Sequence, residues 1–231
     1  MTVQLTSRGR LQTGGAELSA GLRYTTAVVM LVLATFALAS APQTPETACN
    51  LYLVYPAQSA LKKPVSVRFT LDGNSLKVVF EVRTAEIYAK APLDANEYPF
   101  QRDVVEVFVS VSGATTNNFP YYEFELSPYN QAFQVKVPGA QQRFQEGIHV
   151  PGFEHAVTRL NGRWVGTMTI PLDALGWDGD VTKVVGNAYA ILGKPPHRSF
   201  WSLFLPVQTK PNFHRPEFFR PLVCPQGVPQ P

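Results

Sequence analysis

The sequence has few cysteines and few charged residues, and each shortage argues against a class of protein. The 231 residues contain two cysteines, too few for a zinc-ligand cluster or a scaffold held by several disulfides. Charged residues make up 16% of the chain and the net charge is +3, of which residues 1–39 supply +2. A nucleic-acid-binding protein that neutralises phosphates is therefore disfavoured. The hydrophobic content of 45% indicates a folded domain with one core.

An uncharged apolar stretch near the N-terminus is typical of a secretory signal peptide. It covers residues 27–39, follows three arginines and ends in a triplet of small residues at 37–39. Its 13 residues are short of the roughly 20 that span a membrane, which favours a cleaved leader over an uncleaved anchor. We predict a signal peptide over residues 1–39, cut after Ala39. The mature chain, residues 40–231, is then a single domain without a transmembrane span that is secreted, periplasmic or on the cell surface.

The two cysteines flank the mature domain. Cys49 precedes the first predicted strand and Cys224 follows the last. In an oxidising compartment this placement predicts a disulfide that joins the two ends of the domain. Two unpaired buried thiols remain the alternative.

Alternating apolar and polar residues predict a series of short strands. Residues 65–71 and 76–82 alternate on either side of Asp72-Gly73-Asn74, which predicts a hairpin. Residues 104–111 are almost continuously apolar, as in a central strand buried on both faces. No amphipathic helix longer than a turn or two is expected. We predict an all-β fold, an antiparallel β-sandwich or jelly roll of eight or nine strands. The other predicted strands are 121–126, 133–137, 163–170, 184–192 and 200–207.

The polar faces of these strands are predicted to form one mixed surface of carboxylates, cations and amides. Such a surface matches the hydroxyls of a sugar, and it equally fits a solvated sheet face with cross-strand charge pairs. Glu106 differs because Val105 and Val107 indicate burial, and a buried carboxylate needs a partner. Arg68 or Arg83 are the candidate partners. The predicted surface consists of Arg68, Glu81, Arg83, Glu106, Glu123, Glu125, Gln134 and Lys136.

Four stretches together resemble the family 9 carbohydrate-binding modules. They are Pro-Phe-Gln-Arg-Asp-Val-Val-Glu-Val-Phe at 99–108, Tyr-Tyr-Glu-Phe-Glu-Leu at 121–126, the strand 164–171, and Pro-Asn-Phe-His-Arg-Pro-Glu-Phe-Phe at 211–219. The resemblance extends over roughly residues 65–223. It implies a β-sandwich without catalytic activity, whose typical members are attached to xylanases and clamp a sugar unit between two aromatic side chains.

The resemblance places the two clamping aromatic residues at Phe100 and Phe213. Both positions are Trp in the sugar-binding members. Phenyl rings still stack on a pyranose face, but with less area and no indole donor, so weaker binding is expected.

The resemblance also implies polar binding residues. Glu106 falls on a carboxylate that hydrogen-bonds the sugar, while Glu123 and Glu125 stand where sugar-binding members carry Gln and Arg. This exchange reverses the local charge and leaves open whether a cationic or metal-bridged ligand is preferred. His214 flanks the slot as a weaker candidate. Some members bind structural calcium, for which no ligands are assigned here.

The leading interpretation is a secreted, non-catalytic protein that binds a poly- or oligosaccharide and accompanies glycoside hydrolases in carbohydrate catabolism. A cell-surface or periplasmic interaction module that has lost sugar affinity is the alternative. A haem-binding electron-transfer domain is weaker, because Met168 is the only methionine after the leader and its strand position indicates core packing. Catalysis by Glu123 and Glu125 as a glycosidase pair is disfavoured, because such spacing is common in strands.

Overall fold

The computed structural model describes residues 48–56, 64–113 and 118–222. The predicted leader, its cleavage site and Cys224 lie outside these ranges, so the signal peptide and the disulfide stay predictions. Within the described ranges, no helix is long and apolar enough to cross a membrane.

The described residues form strands joined by turns and four short 3₁₀ helices. The helices are Pro99–Gln101, Asp173–Leu175, Val181–Lys183 and Pro216–Phe218. The strands, in chain order, are β1 Cys49–Asn50, β2 Tyr52–Tyr55, β3 Val65–Asp72, β4 Ser75–Arg83, β5 Val104–Ser110, β6 Tyr121–Leu126, β7 Ala132–Val137, β8 Gln145–Glu146, β9 Glu154–Leu160, β10 Arg163–Pro171, β11 Val185–Leu192, β12 Ser199–Ser202 and β13 Arg220–Pro221.

These strands make two antiparallel sheets. One has the order β1-β3-β4-β10-β9, and the other has the order β2-β12-β11-β5-β6-β7-β8 with β13 paired to β11. The predicted antiparallel β-sandwich is thus confirmed. The strand count was too low, because β1, β8 and β13 have two residues each, β2 has four, and β9 is a mostly exposed strand at a sheet edge. Such strands show little apolar alternation in the sequence.

The predicted hairpin is formed by β3 and β4. Asp72 pairs with Ser75 across a turn in which Gly73 has a φ of 55°, a left-handed conformation that glycine adopts without strain. The inward residues of β4 join Trp164 and Met168 in the core between the sheets. Both side chains are fully buried, so the expectation that Met168 packs in the core is correct.

A second hydrophobic cluster covers the outer face of the eight-stranded sheet. Residues 203–219 cross this face, where the Tyr189 hydroxyl donates to the Phe213 carbonyl at 3.0 Å and the Asn118 amide donates to the Pro216 carbonyl at 2.7 Å. All of β5 is therefore buried, as predicted for a strand covered on both sides. The cluster includes Phe108, Tyr121, Val135, Tyr189, Leu205, Phe213 and Phe219.

The predicted single polar surface is wrong. Arg68, Glu81 and Arg83 lie on the five-stranded sheet, whereas the three glutamates of β5 and β6 lie on the eight-stranded sheet. The register of β6 and β7 pairs Val135 with Glu123 and Gln134 with Phe124. Since paired residues share a face, Gln134 and Lys136 point away from the glutamates. The predicted partners of Glu106, Arg68 and Arg83, are on the other sheet.

Candidate functional site

A pocket of about 320 Å³ opens on the outer face of the eight-stranded sheet. Its floor includes Glu106 and Phe108 from β5 and Glu123 and Glu125 from β6. The segment 211–214, which crosses the same face, forms part of its wall. All six predicted ligand-binding residues line this pocket: Phe100, Glu106, Glu123, Glu125, Phe213 and His214.

Phe100 stands at the rim, held by contacts on both sides of its backbone. Its N–H donates to the Glu125 carboxylate at 2.9 Å, and Arg198 donates to its carbonyl at 2.6 Å. The ring stacks on Tyr98 with centroids 5.3 Å apart. The side chain is nevertheless 40% exposed, so this ring is fixed in position and open to a ligand.

Phe213 is held more deeply than Phe100. Its ring stacks on Tyr189 at 4.3 Å and meets Phe200 edge-on at 5.9 Å. The side chain is 8% exposed, so one face of the ring serves packing and the remainder borders the pocket. Phe213 therefore differs from Phe100 in that it also belongs to the second hydrophobic cluster.

Four further phenylalanines that sequence reasoning did not assign to the site border the pocket: Phe108, Phe133, Phe144 and Phe200. Phe133 pairs with Glu125 in the register of β6 and β7, and alternation within one strand does not specify that register. Residue 144 lies outside any predicted strand, and its sequence context gave no signal. The pocket wall is consequently more aromatic than two clamping residues imply.

The three glutamates of the floor are packed against one another with little exposure to solvent. Glu106 lies directly opposite Glu125 across the strands, and Glu123 is two residues along β6. Their exposed fractions are 2% for Glu106, 6% for Glu123 and 1% for Glu125. Like charges placed directly opposite in a sheet repel each other, so the arrangement is costly when all three are ionised.

Burial raises the pKa of each carboxyl, and the charges of neighbouring floor glutamates add to this rise at Glu106 and Glu125. Burial, followed by the charge of Glu123, holds the pKa of Glu106 well above its ordinary value. Burial raises the pKa of Glu125 in the same direction, reinforced by Glu106 and Glu123. Burial raises the pKa of Glu123 to about 7. The floor therefore holds protons near neutral pH.

Little positive charge compensates the floor. None of the described residues lining the pocket is a lysine or an arginine. The charge of Arg198 opposes the rise in the pKa of Glu106. The hydrogen bonds that Arg198 donates go to the backbone carbonyls of Phe100 and Arg102. Glu106 Oε1 is buried without a hydrogen-bond partner in the part of the chain that the structure describes.

His214 is neutral at physiological pH. Its Nδ1 lies 2.8 Å from the Tyr121 hydroxyl, and its Nε2 lies 3.9 Å from Glu123 Oε2. Burial lowers the His214 pKa to about 4, so the imidazole supplies a donor and an acceptor rather than a charge. The prediction that His214 flanks the slot is consistent with this placement.

Asp103 supports the rim from behind. Its two carboxylate oxygens accept from the Gly193 N–H at 2.6 Å and from the Tyr88 N–H at 2.8 Å. It thereby connects the segment before Phe100 to the end of β11. Sequence reasoning passed over this residue although it immediately precedes β5.

No cluster of three or more histidine, cysteine, aspartate or glutamate side chains suited to a metal ion occurs in residues 48–56, 64–113 and 118–222. Calcium binding therefore stays a prediction without assigned ligands. Met168 lies between the sheets and cannot serve a haem in this pocket.

The solved structures include one that matches the fold of this chain over most of its length. The matching protein is described as "Crystal structure of a putative carbohydrate-binding protein from Bacteroides uniformis" and is 24% identical to this chain. The match has a TM-score of 0.60 and covers 75% of this chain and 84% of that protein. The chain shares the fold of that protein.

Family 9 carbohydrate-binding modules are also among the solved structures that the chain resembles, as predicted. Two come from Caldicellulosiruptor kristjanssonii, one in complex with cellotriose at 17% identity and one with glucose at 15%. Both have a TM-score of 0.49 over 74% of this chain, and they are covered over 78% and 82% of their own length respectively. No family model matches the sequence, and no curated protein matches it significantly.

Proposed function

We propose that this protein is a non-catalytic carbohydrate-binding protein and that the pocket on the eight-stranded sheet is its sugar site. The observation that carries the proposal is the combination, in one pocket, of the open Phe100 ring with the buried carboxyls of the floor. The shared fold with the Bacteroides uniformis protein, described as a "putative carbohydrate-binding protein", supports it.

The pocket offers both kinds of contact that a pyranose needs. The apolar face of the sugar ring packs on Phe100, and Phe213 lines the same pocket. The hydroxyls reach carboxyl oxygens, the His214 imidazole and the Asn212 amide, all of which border the same space. The volume of about 320 Å³ falls in the range of small-ligand pockets.

Binding to a glycan array tests the proposal. The protein for this assay is expressed with its own leader and purified after export. The expected result is saturable binding to at least one soluble oligosaccharide. Phe100→Ala should weaken that binding about fivefold, since aromatic stacking contributes roughly 1 kcal/mol. Tyr129→Ala removes an exposed ring at the turn after β6 and is the matched control, with unchanged affinity.

An array without binding, for a protein that is folded by circular dichroism, would contradict the proposal. The interaction-module alternative would then lead. A non-catalytic protein should also release no new reducing ends from a bound oligosaccharide over a prolonged incubation.

We also propose secretion, with the leader removed after Ala39 and a disulfide between Cys49 and Cys224. N-terminal sequencing of the exported protein should begin at Ser40. A protein retained with its apolar stretch intact would overturn this part of the proposal and would leave the sugar site unaffected.

A further inference from the structure

Resting on the proposed sugar-binding function, we propose that the pocket selects cationic sugars, namely amino sugars with a free amine, over neutral ones. The juxtaposition that points to this is a floor of three buried glutamates inside a ring of phenylalanines. The occupant inferred is a glucosamine unit of an oligosaccharide.

The first observation is the charge of the lining. Four carboxyl side chains border the pocket, from Glu106, Glu123, Glu125 and Glu146. The described lining residues include no lysine or arginine, and His214 is neutral. A bound ammonium group would therefore bring the positive charge that the floor lacks.

The second observation is independent of the first and concerns hydrogen bonding. Glu106 is 2% exposed, lies in the floor of the pocket, and its Oε1 has no partner among the described residues. A buried acceptor without a partner is unfavourable. An ammonium carries three donors, and a charge-assisted hydrogen bond to a carboxylate is about twice as strong as a neutral one.

The third observation is the chemistry of the wall. Six phenylalanines border the pocket, and their rings offer no hydrogen-bond donor to a hydroxyl. A phenyl face does attract a cation, and more strongly when the cation is desolvated. These rings thus contribute to binding an ammonium as well as to packing on the sugar ring. The six are Phe100, Phe108, Phe133, Phe144, Phe200 and Phe213.

Binding of the cation is coupled to proton release. The floor holds protons near neutral pH because burial raises the pKa of all three glutamates and neighbouring carboxylates add to this rise at Glu106 and Glu125. When the ammonium binds, a carboxyl loses its proton to buffer and the ion pair forms, so charge and protons balance. Other titratable groups contribute to the electrostatics of the floor: Tyr121 on β6, Glu146 on β8, Tyr189 on β11, His214 on the crossing segment, and Arg198 and Asp103 beside the rim.

Three disaccharides with the same β-1,4 linkage test the proposal by isothermal titration calorimetry. They are the disaccharide of glucosamine, its di-N-acetylated form and cellobiose, which differ at C2 as amine, acetamide and hydroxyl. We expect the amine to bind at least tenfold more tightly than the other two at low salt and pH 7. Its binding enthalpy should change with the ionisation enthalpy of the buffer, which reports proton release.

A substitution tests whether Glu106 is responsible for the preference for the amine. Glu106→Gln should reduce the preference for the amine over cellobiose to less than threefold and abolish the dependence of the enthalpy on buffer. Glu154→Gln, an exposed acid on β9 of the other sheet, is the matched control and should keep the full preference. Spermidine, an amine without a sugar ring, should bind at least tenfold more weakly than the amino disaccharide.

The outcomes separate this inference from the proposed function. Equal or tighter binding of cellobiose overturns the preference for cations and leaves the sugar site standing. Spermidine binding as tight as the amino disaccharide overturns the requirement for a sugar. If the folded protein binds none of the three disaccharides, this inference is refuted, and an array without binding refutes the sugar site as well.

Discussion

Ionisation of Glu123 should destabilise the fold, and Glu123→Gln isolates this effect. In the folded protein burial raises the pKa of Glu123 to about 7, against an ordinary value of 4.5. A carboxyl whose pKa is higher in the folded state than in the unfolded state stabilises the folded protein at pH values below its unfolded pKa. This contribution to stability is lost as the pH rises through the folded-state pKa of about 7. The difference between the two pKa values corresponds to about 3 kcal/mol when the group is fully ionised.

The variant keeps the shape of the side chain and removes the titration. Its free energy of unfolding should equal that of the parent to within about 1 kcal/mol at pH 4 and exceed it by about 3 kcal/mol at pH 9. Urea denaturation followed by tryptophan fluorescence over this pH range measures the difference. Glu154→Gln, exposed on β9, should run parallel to the parent. Parallel curves for Glu123→Gln as well would refute the claim that the floor carboxyls are buried together.

Three further predictions concern stability. Phe213→Ala should lower the free energy of unfolding by about 3 kcal/mol because the ring is buried and stacked. Phe100→Ala should lower it by less than about 1 kcal/mol. Equal losses of the two variants in urea denaturation would contradict the different packing of the two rings. Gly186→Ala should cost about 3 kcal/mol or prevent folding, since a Cβ there would lie 1.9 Å from a carbonyl oxygen of β5; a thermal melt unchanged from the parent would disprove that contact. Reduction of the exported protein should remove roughly 5 kcal/mol if Cys49 and Cys224 are joined, and thiols that react with a chromogenic reagent before reduction would rule the disulfide out.

Sequence pattern was sufficient for features that depend on one strand or one hairpin. The alternation around Gly73 predicts the β3–β4 hairpin, and the apolar run at 104–111 predicts a strand buried on both faces. Within a strand, period-2 alternation specifies which residues share a face. The grouping of Glu123 with Glu125 followed directly from this rule.

Alternation does not specify how one strand is registered against the next. A slip of one residue exchanges the two faces of a strand, and for this reason Gln134 and Lys136 were placed with the glutamates while Phe133 and Val135 occupy that face. The covering of the outer face by residues 203–219 depends on tertiary packing of an irregular segment. Loop packing has no periodic signal, so Phe144 was missed as a pocket residue. Phe200 lies on β12, and alternation did not specify where that strand lies in the sheet.

The most direct test of a sugar site on the eight-stranded sheet is amide chemical-shift mapping by NMR during titration with the tightest oligosaccharide from the array. The Phe100 N–H donates to Glu125, so a ligand in the pocket must disturb it. Saturating shifts at Phe100 and along β5 and β6, with none along β3 and β4, are the predicted result. Shifts confined to the five-stranded sheet, or no saturating shifts at all, would contradict the account.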